Sequence, residues 1–120
     1  MKTSATVSMF PTVVAKEGEP VEVSAVLDAI RAGRWQNQVE AVRAAFATEG
    51  KKAADALKRQ LPPVTFSGLF NGSHKAESLA EHSGLLCLDF DGLNGHLDEL
   101  RAKLAGDPHC MALFTSPSGT

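Results

Sequence analysis

Apolar residues recur along this chain with two periods, and each change of period falls at a glycine or a proline. Residues 5–14 (ATVSMFPTVV) are β-branched and apolar and predict an opening strand, with Pro11 marking a sheet edge or a strand end. Residues 16–20 (KEGEP) read as a polar turn. Ser24 then reads as the N-cap of a short helix carrying Val26, Leu27 and Ile30 on one face, with Gly33 as its C′ residue. Trp35 follows as a packing anchor. Over residues 36–48, Val39, Val42, Ala45 and Phe46 fall on one helical face. Gly50 separates that helix from a basic one over residues 51–61, with Ala54, Leu57 and Leu61 facing inward, and Pro62-Pro63 ends it.

The second half alternates more sharply. Residues 64–70 predict a strand, residues 71–73 a turn, and Ser73 the cap of a short helix through Leu79 and Ala80. Residues 85–90 (LLCLDF) predict a buried strand in which Cys87 is a small core residue. That strand ends in Asp89 and Asp91, and Gly92 breaks it. Leu93, Leu97, Leu100 and Leu104 then recur at helical spacing, with acids at the start and bases at the end to suit the macrodipole. Gly106 and Pro108 stop this helix, and residues 111–115 predict a further strand before a Ser/Gly loop at 116–120. Strand, helix, strand is a β-α-β unit with parallel neighbours. Their carboxyl ends share one edge, so the aspartates are expected to face the 116–120 loop, where α/β sheets bind ligands. The expected fold is α+β: one domain with a strand and helical region over 1–62, then a sheet carrying Asp-x-Asp over 63–120.

Composition narrows the class without naming a function. At 120 residues, 43% apolar and 22% charged, the chain is an ordinary globular domain. No apolar run approaches the roughly 20 residues of a membrane helix, and no secretory h-region follows the N-terminus. Cys87 and Cys110 are isolated, which predicts neither a zinc knuckle nor a disulfide framework and suits a reduced, cytoplasmic setting. A net charge of −2 hides an uneven distribution. Arg31, Arg34, Arg43, Lys51, Lys52, Lys58 and Arg59 crowd the first half, while acids dominate residues 77–107. Lys51, Lys52, Lys58 and Arg59, with Lys75 on a later turn, are candidates to hold a nucleic-acid backbone. A solvated amphipathic face accounts for them equally well.

The chemistry rests on Asp89 and Asp91. Alternation along a strand points both carboxylates the same way, and two like charges side by side are stabilised by a divalent cation between them. Hard oxygen donors suit Mg²⁺ or Mn²⁺. Such ions clamp the attacking and leaving oxygens of phosphoryl transfer, and a Gly/Ser loop opposite offers N–H groups to a triphosphate. Three rival readings share the motif. A haloacid dehalogenase-type phosphatase has Asp-Phe-Asp-Gly followed by Thr, where this chain has Leu93. A calcium EF-hand fails because Leu93, Asn94 and Leu100 occupy positions that need a ligand, a glycine and an acid. In the third, a non-enzymatic module, the acids cap the following helix and prevent edge pairing.

Three motifs in order carry a resemblance: VTFSG within residues 61–70, HSGLLCLDFDGL over 82–93, and FTSPSG within 107–120. Together they resemble the N-terminal primase-like domain found with virulence-associated protein E and D5-type helicases, in the archaeo-eukaryotic primase (primase-polymerase) superfamily. The resemblance implies a metal-dependent nucleotidyltransferase of a phage or mobile element, with an RRM-like catalytic sheet and a helicase domain as partner. Asp89 and Asp91 would be metal ligands for Mg²⁺ or Mn²⁺. Ser116, Ser118 and Gly119 would begin the motif that binds nucleoside triphosphates beside a nucleic-acid template. In that family the loop runs on to a basic or histidine residue, and a third acid follows downstream. Neither occurs within these 120 residues, so the chain is expected to be an N-terminal portion, catalytically incompetent by itself.

Overall fold

The computed structural model describes residues 5–93 and 95–117. Its architecture is α+β, with four α-helices and two small antiparallel sheets among the described residues. The first sheet has β1 (Thr6–Met9) at its centre, flanked by β2 (Glu19–Glu22) and β3 (Val64–Thr65). Val7 and Ser8 are consecutive, point to opposite faces, and are both buried, so both faces of β1 are covered. On the Ser8 side lies the second sheet, β4 (Gly68–Phe70) with β5 (Leu79–His82). The Phe70 N–H donates to Ser8 Oγ at 2.9 Å and ties the two sheets together. The Phe10 N–H continues the ladder to Pro63 O at 2.9 Å, with the Phe10 ring fully buried.

Two departures from the pattern reading concern strands near Pro and Gly. Residues 16–20 were expected to turn, yet Glu19 and Pro20 open β2, where Pro20 sits opposite Ser8. Pro lacks a ladder donor, and an edge strand tolerates it because only one side of β2 is paired. The strand expected over residues 64–70 divides between the two sheets. Its break is held by Thr65 Oγ1, within 3.0 Å of Gly68 O and 3.3 Å of Ser8 O, and by Ser83 Oγ donating to Phe66 O. Gly68 is buried, and a Cβ there would run into the Glu81 carbonyl and stand 2.7 Å from Leu79 Cδ1. The helix expected through Ala80 is a single 3₁₀ turn, Ala76–Ser78, after which Leu79 pairs with Phe70 of β4 and Ala80 is the bulge residue without a ladder partner.

Helix α1 (Val23–Arg31) starts without a linker, because the Val23 N–H donates to Ala5 O at 2.8 Å and so prolongs the β1–β2 ladder. This satisfies one of the orphan donors of the first turn. Ser24 therefore lies inside the helix, and the N-cap is Glu22, whose side chain makes no capping bond. The other end matches expectation. Gly33 has φ 78°, and the bonds Gly33 N–H to Ile30 O and Arg34 N–H to Ala29 O form a Schellman ending. Helices α2 (Gln36–Glu49) and α3 (Lys51–Lys58) pack on one another through Val42, Ala45 and Ala54. Phe46, expected inside, is 39% exposed. Gly50 alone joins the two helices at φ 95°, ψ −175°, a conformation essentially restricted to glycine. Helix α3 ends three residues early because Leu61 precedes Pro62 and is excluded from helical geometry. Gln60 and Leu61 instead make tight turn bonds to Leu57 O and Lys58 O.

Helix α4 (Leu97–Ala105) carries Asp98 and Glu99 in its first turn and Lys103 in its last, as expected, but begins at Leu97 rather than Leu93. The segments on either side depart from the β-α-β expectation. Among the described residues, neither 85–90 nor 111–115 joins a ladder. A buried parallel strand needs partners and cover on both faces, whereas Leu86 and Leu88 are 82% and 63% exposed and Cys87 is exposed beside them. Beyond α4, Asp107 Oδ1 accepts the His109 N–H at 2.8 Å. That backbone bond is the main reason the Asp107 carboxyl is held below its ordinary range; desolvation acts against it, and the His109 ring and charge add to it.

Three outcomes test this description. Ser8→Ala strands the Phe70 N–H and is expected to cost about 1–3 kcal/mol in urea unfolding with an unchanged slope. Gly68→Ala is expected to destabilise by about 1–3 kcal/mol or more, through overpacking against β5. For Asp107, carbon NMR should give a midpoint below that of aspartate in an unstructured peptide. Its small contribution to stability is then present above the unfolded value, near about 3.9, and is lost as pH falls through the folded value.

Candidate metal and nucleotide site

Asp89 and Asp91 lie between β5 and α4, on a segment whose neighbour Phe90 shares a shallow groove with Leu93, His96, Leu100 and Lys103. Both carboxylates are exposed, and among the described residues neither has a hydrogen-bond or ion-pair partner. Exposed, they leave two hard oxygen donors open to solvent, but with residues 85–90 outside any ladder the strand alternation expected to point both the same way is not formed. No group of three or more His, Cys, Asp or Glu placed to hold a metal occurs among the described residues.

The loop expected opposite them is anchored from another direction. Arg43 of α2 donates to the Ser116 carbonyl at 3.2 Å, and Arg101 of α4 donates to Thr115 Oγ1 at 3.1 Å. Phe114 leans on Phe66 at the break between β3 and β4, with ring centroids 6.3 Å apart. The contact between α2 and Ser116 spans 73 residues of sequence, and no local spacing announces it. Arg43 was legible as a charge but not as the residue that seats the loop. Ser118 and Gly119 lie outside the described residues.

The basic candidates differ in what engages them. Lys51 is engaged with Asp55 at 3.0 Å, an exposed pair of little energetic consequence. Lys52 is exposed on the same helix. Lys58 and Arg59, at the end of α3, are exposed and have no ion-pair partner among the described residues. Lys75 lies just before the 3₁₀ turn. Its neighbour His74 is absorbed into the fold: Nε2 donates to Val13 O at 2.9 Å, and the ring meets Phe10 edge-on at 5.3 Å.

No helix among the described residues is long and apolar enough to cross a membrane. Comparison with curated proteins and with solved structures finds no match in either set. A family model described as "BT4734-like, N-terminal domain" matches residues 56–120, which include the end of α3, both strands around Gly68, the two aspartates and the Ser116 loop. The matched stretch is more than half of the 120 residues, and the chain therefore belongs to the BT4734-like family, in its N-terminal domain.

Proposed function

We propose that the chain is the N-terminal part of a metal-dependent primase-polymerase domain, a nucleotidyltransferase that joins nucleoside triphosphates on a nucleic-acid template. The observation that carries this reading is the state of Asp89 and Asp91. Acids retained to cap a helix accept N–H groups in its first turn. Here α4 starts well past Asp91, its N-cap is His96, and Asp98 and Glu99 already occupy its first turn. The helix-capping rival thus loses its support, and two unpartnered carboxylates remain available to Mg²⁺ or Mn²⁺. The same proposal includes an RRM-like catalytic sheet as the finer form of the α+β architecture. It also includes Ser116, Ser118 and Gly119 as the start of the nucleotide motif, a helicase domain as partner and a cytoplasmic setting. With two ligand positions filled, the 120-residue chain alone is expected to hold the metal weakly and to be inactive.

Two measurements test the proposal. Manganese titration followed by electron paramagnetic resonance should show weak binding to the chain that is lost in Asp89→Asn/Asp91→Asn. A polypeptide continuing past Thr120 should incorporate labelled nucleotides on a single-stranded template with Mg²⁺ or Mn²⁺, and Asp89→Ala/Asp91→Ala should reduce this to background. Incorporation retained in that double variant would overturn the site. Binding of single-stranded nucleic acid that ignores EDTA and the aspartates, with no incorporation, would instead identify a non-catalytic module. Hydrolysis of a generic phosphate ester would point to the phosphatase reading.

A further inference from the structure

A second site is built where α3 ends. The Pro62-Pro63 turn, Leu61, Val13 and Pro117 wall a cleft of about 330 Å³. Its charged lining is Lys58, Arg59 and Asp55. The sequence brings these together for three separate reasons. Leu61 is forced out of the helix by Pro62, which turns the chain toward β3 directly after the two cations. Val13 arrives from the loop after β1, held by the His74 bond to its carbonyl. Pro117 arrives because Arg43 holds the carbonyl of Ser116.

We infer that this cleft binds a nucleoside phosphate, with Lys58 and Arg59 on the phosphate and the proline-rich wall against the nucleoside. Lys58 and Arg59 have no ion-pair partner among the described residues, so their charge is available to a ligand. Asp55, the one acid in the lining, has its carboxylate on Lys51 at 3.0 Å. The carbonyls of Asp55, Leu57 and Lys58 accept the N–H groups of Arg59, Gln60 and Leu61, which reduces the negative end of the helix dipole that an anion would otherwise meet. A guanidinium beside an ammonium suits phosphate oxygens, the first by bidentate bonding and the second as a point charge. The wall supplies what inorganic phosphate does not use: three prolines and two aliphatic side chains give a rigid apolar surface for a base or sugar. The volume lies at the small end of ligand pockets, about 300–1,000 Å³, a size that suits one nucleotide. Pro117 directly follows Ser116, so the cleft adjoins the loop already proposed to contact the triphosphate. Naming a nucleoside phosphate rests on that reading of the chain; the charge and the wall do not.

Isothermal titration of the chain with ATP, in EDTA so that Asp89 and Asp91 play no part, tests the assignment. Lys58→Gln/Arg59→Gln is expected to weaken ATP binding about tenfold or more, since two charge-assisted contacts are lost. Lys16→Gln/Arg31→Gln removes the same charge from other exposed sites and should change it less than twofold. Both pairs lie on the surface, and circular dichroism checks that each variant is folded. No ATP binding by the parent, equal affinity in the Lys58/Arg59 variant, or an equal loss in the control overturns the cleft. Inorganic triphosphate binding as tightly as ATP, or a single-stranded oligonucleotide competing better than ATP, overturns the nucleoside assignment. ATP binding here with a blank incorporation assay leaves the cleft standing and removes the polymerase reading; incorporation with no binding here removes the cleft alone.

Discussion

The structure depends on one hydroxyl. Ser8 is the buried polar side chain of β1, and through it the Phe70 N–H finds a partner that a flat sheet would have supplied from another strand. A strand covered on both faces would ordinarily be apolar throughout. Here one face carries a small hydroxyl, so a second sheet can approach edge-on and still satisfy its backbone. The break between Thr65 and Gly68 follows from this demand, because the chain must leave β3 and reach β4 within two residues. Thr65 Oγ1 and the bare Cα of Gly68 make that short crossing feasible.

The helical half is coupled to this sheet mainly by geometry at its ends. Helix α1 grows out of β2 with no intervening residue, and α3 is stopped by the proline pair that starts β3. Between them α2 and α3 form a hairpin on a single glycine. The position of that hairpin fixes two things used downstream: the guanidinium of Arg43 that seats Ser116, and the two cations that border the cleft. The aspartates belong to a different neighbourhood, beside α4. The residues proposed for metal and those proposed for phosphate are thus positioned by separate elements.

Much of this was legible in the sequence, and the failures share a cause. Periodicity located α2 to within a residue, and Gly33 and Gly50 marked helix boundaries correctly because their constraints are local, whereas Pro62 ended α3 three residues earlier than expected. What misled was context that a window does not contain. The segment KEGEP looks like a turn, but an unpaired edge lets Pro20 stand in a strand. The Ser24 hydroxyl looks like a cap, but the ladder to Ala5 starts the helix earlier. Residues 85–90 have strand composition, yet a ladder needs a partner as well as a propensity. At the candidate site, the Asp-x-Asp pair could be read directly, while the grip of Arg43 on Ser116 connects residues whose separation carries no periodic signal.

The separation of Ser8 from Phe70 also bears on how the chain is made. Sixty-two residues lie between the two ends of that bond. At roughly 5–20 residues per second of synthesis, the interval lasts on the order of 3–12 s. Until β3 is made, the β1–β2 hairpin has no third strand and no second sheet, and an isolated hairpin is marginal in water. Val7 and Phe10, fully enclosed in the finished fold, are then open to other chains while the helices form behind them.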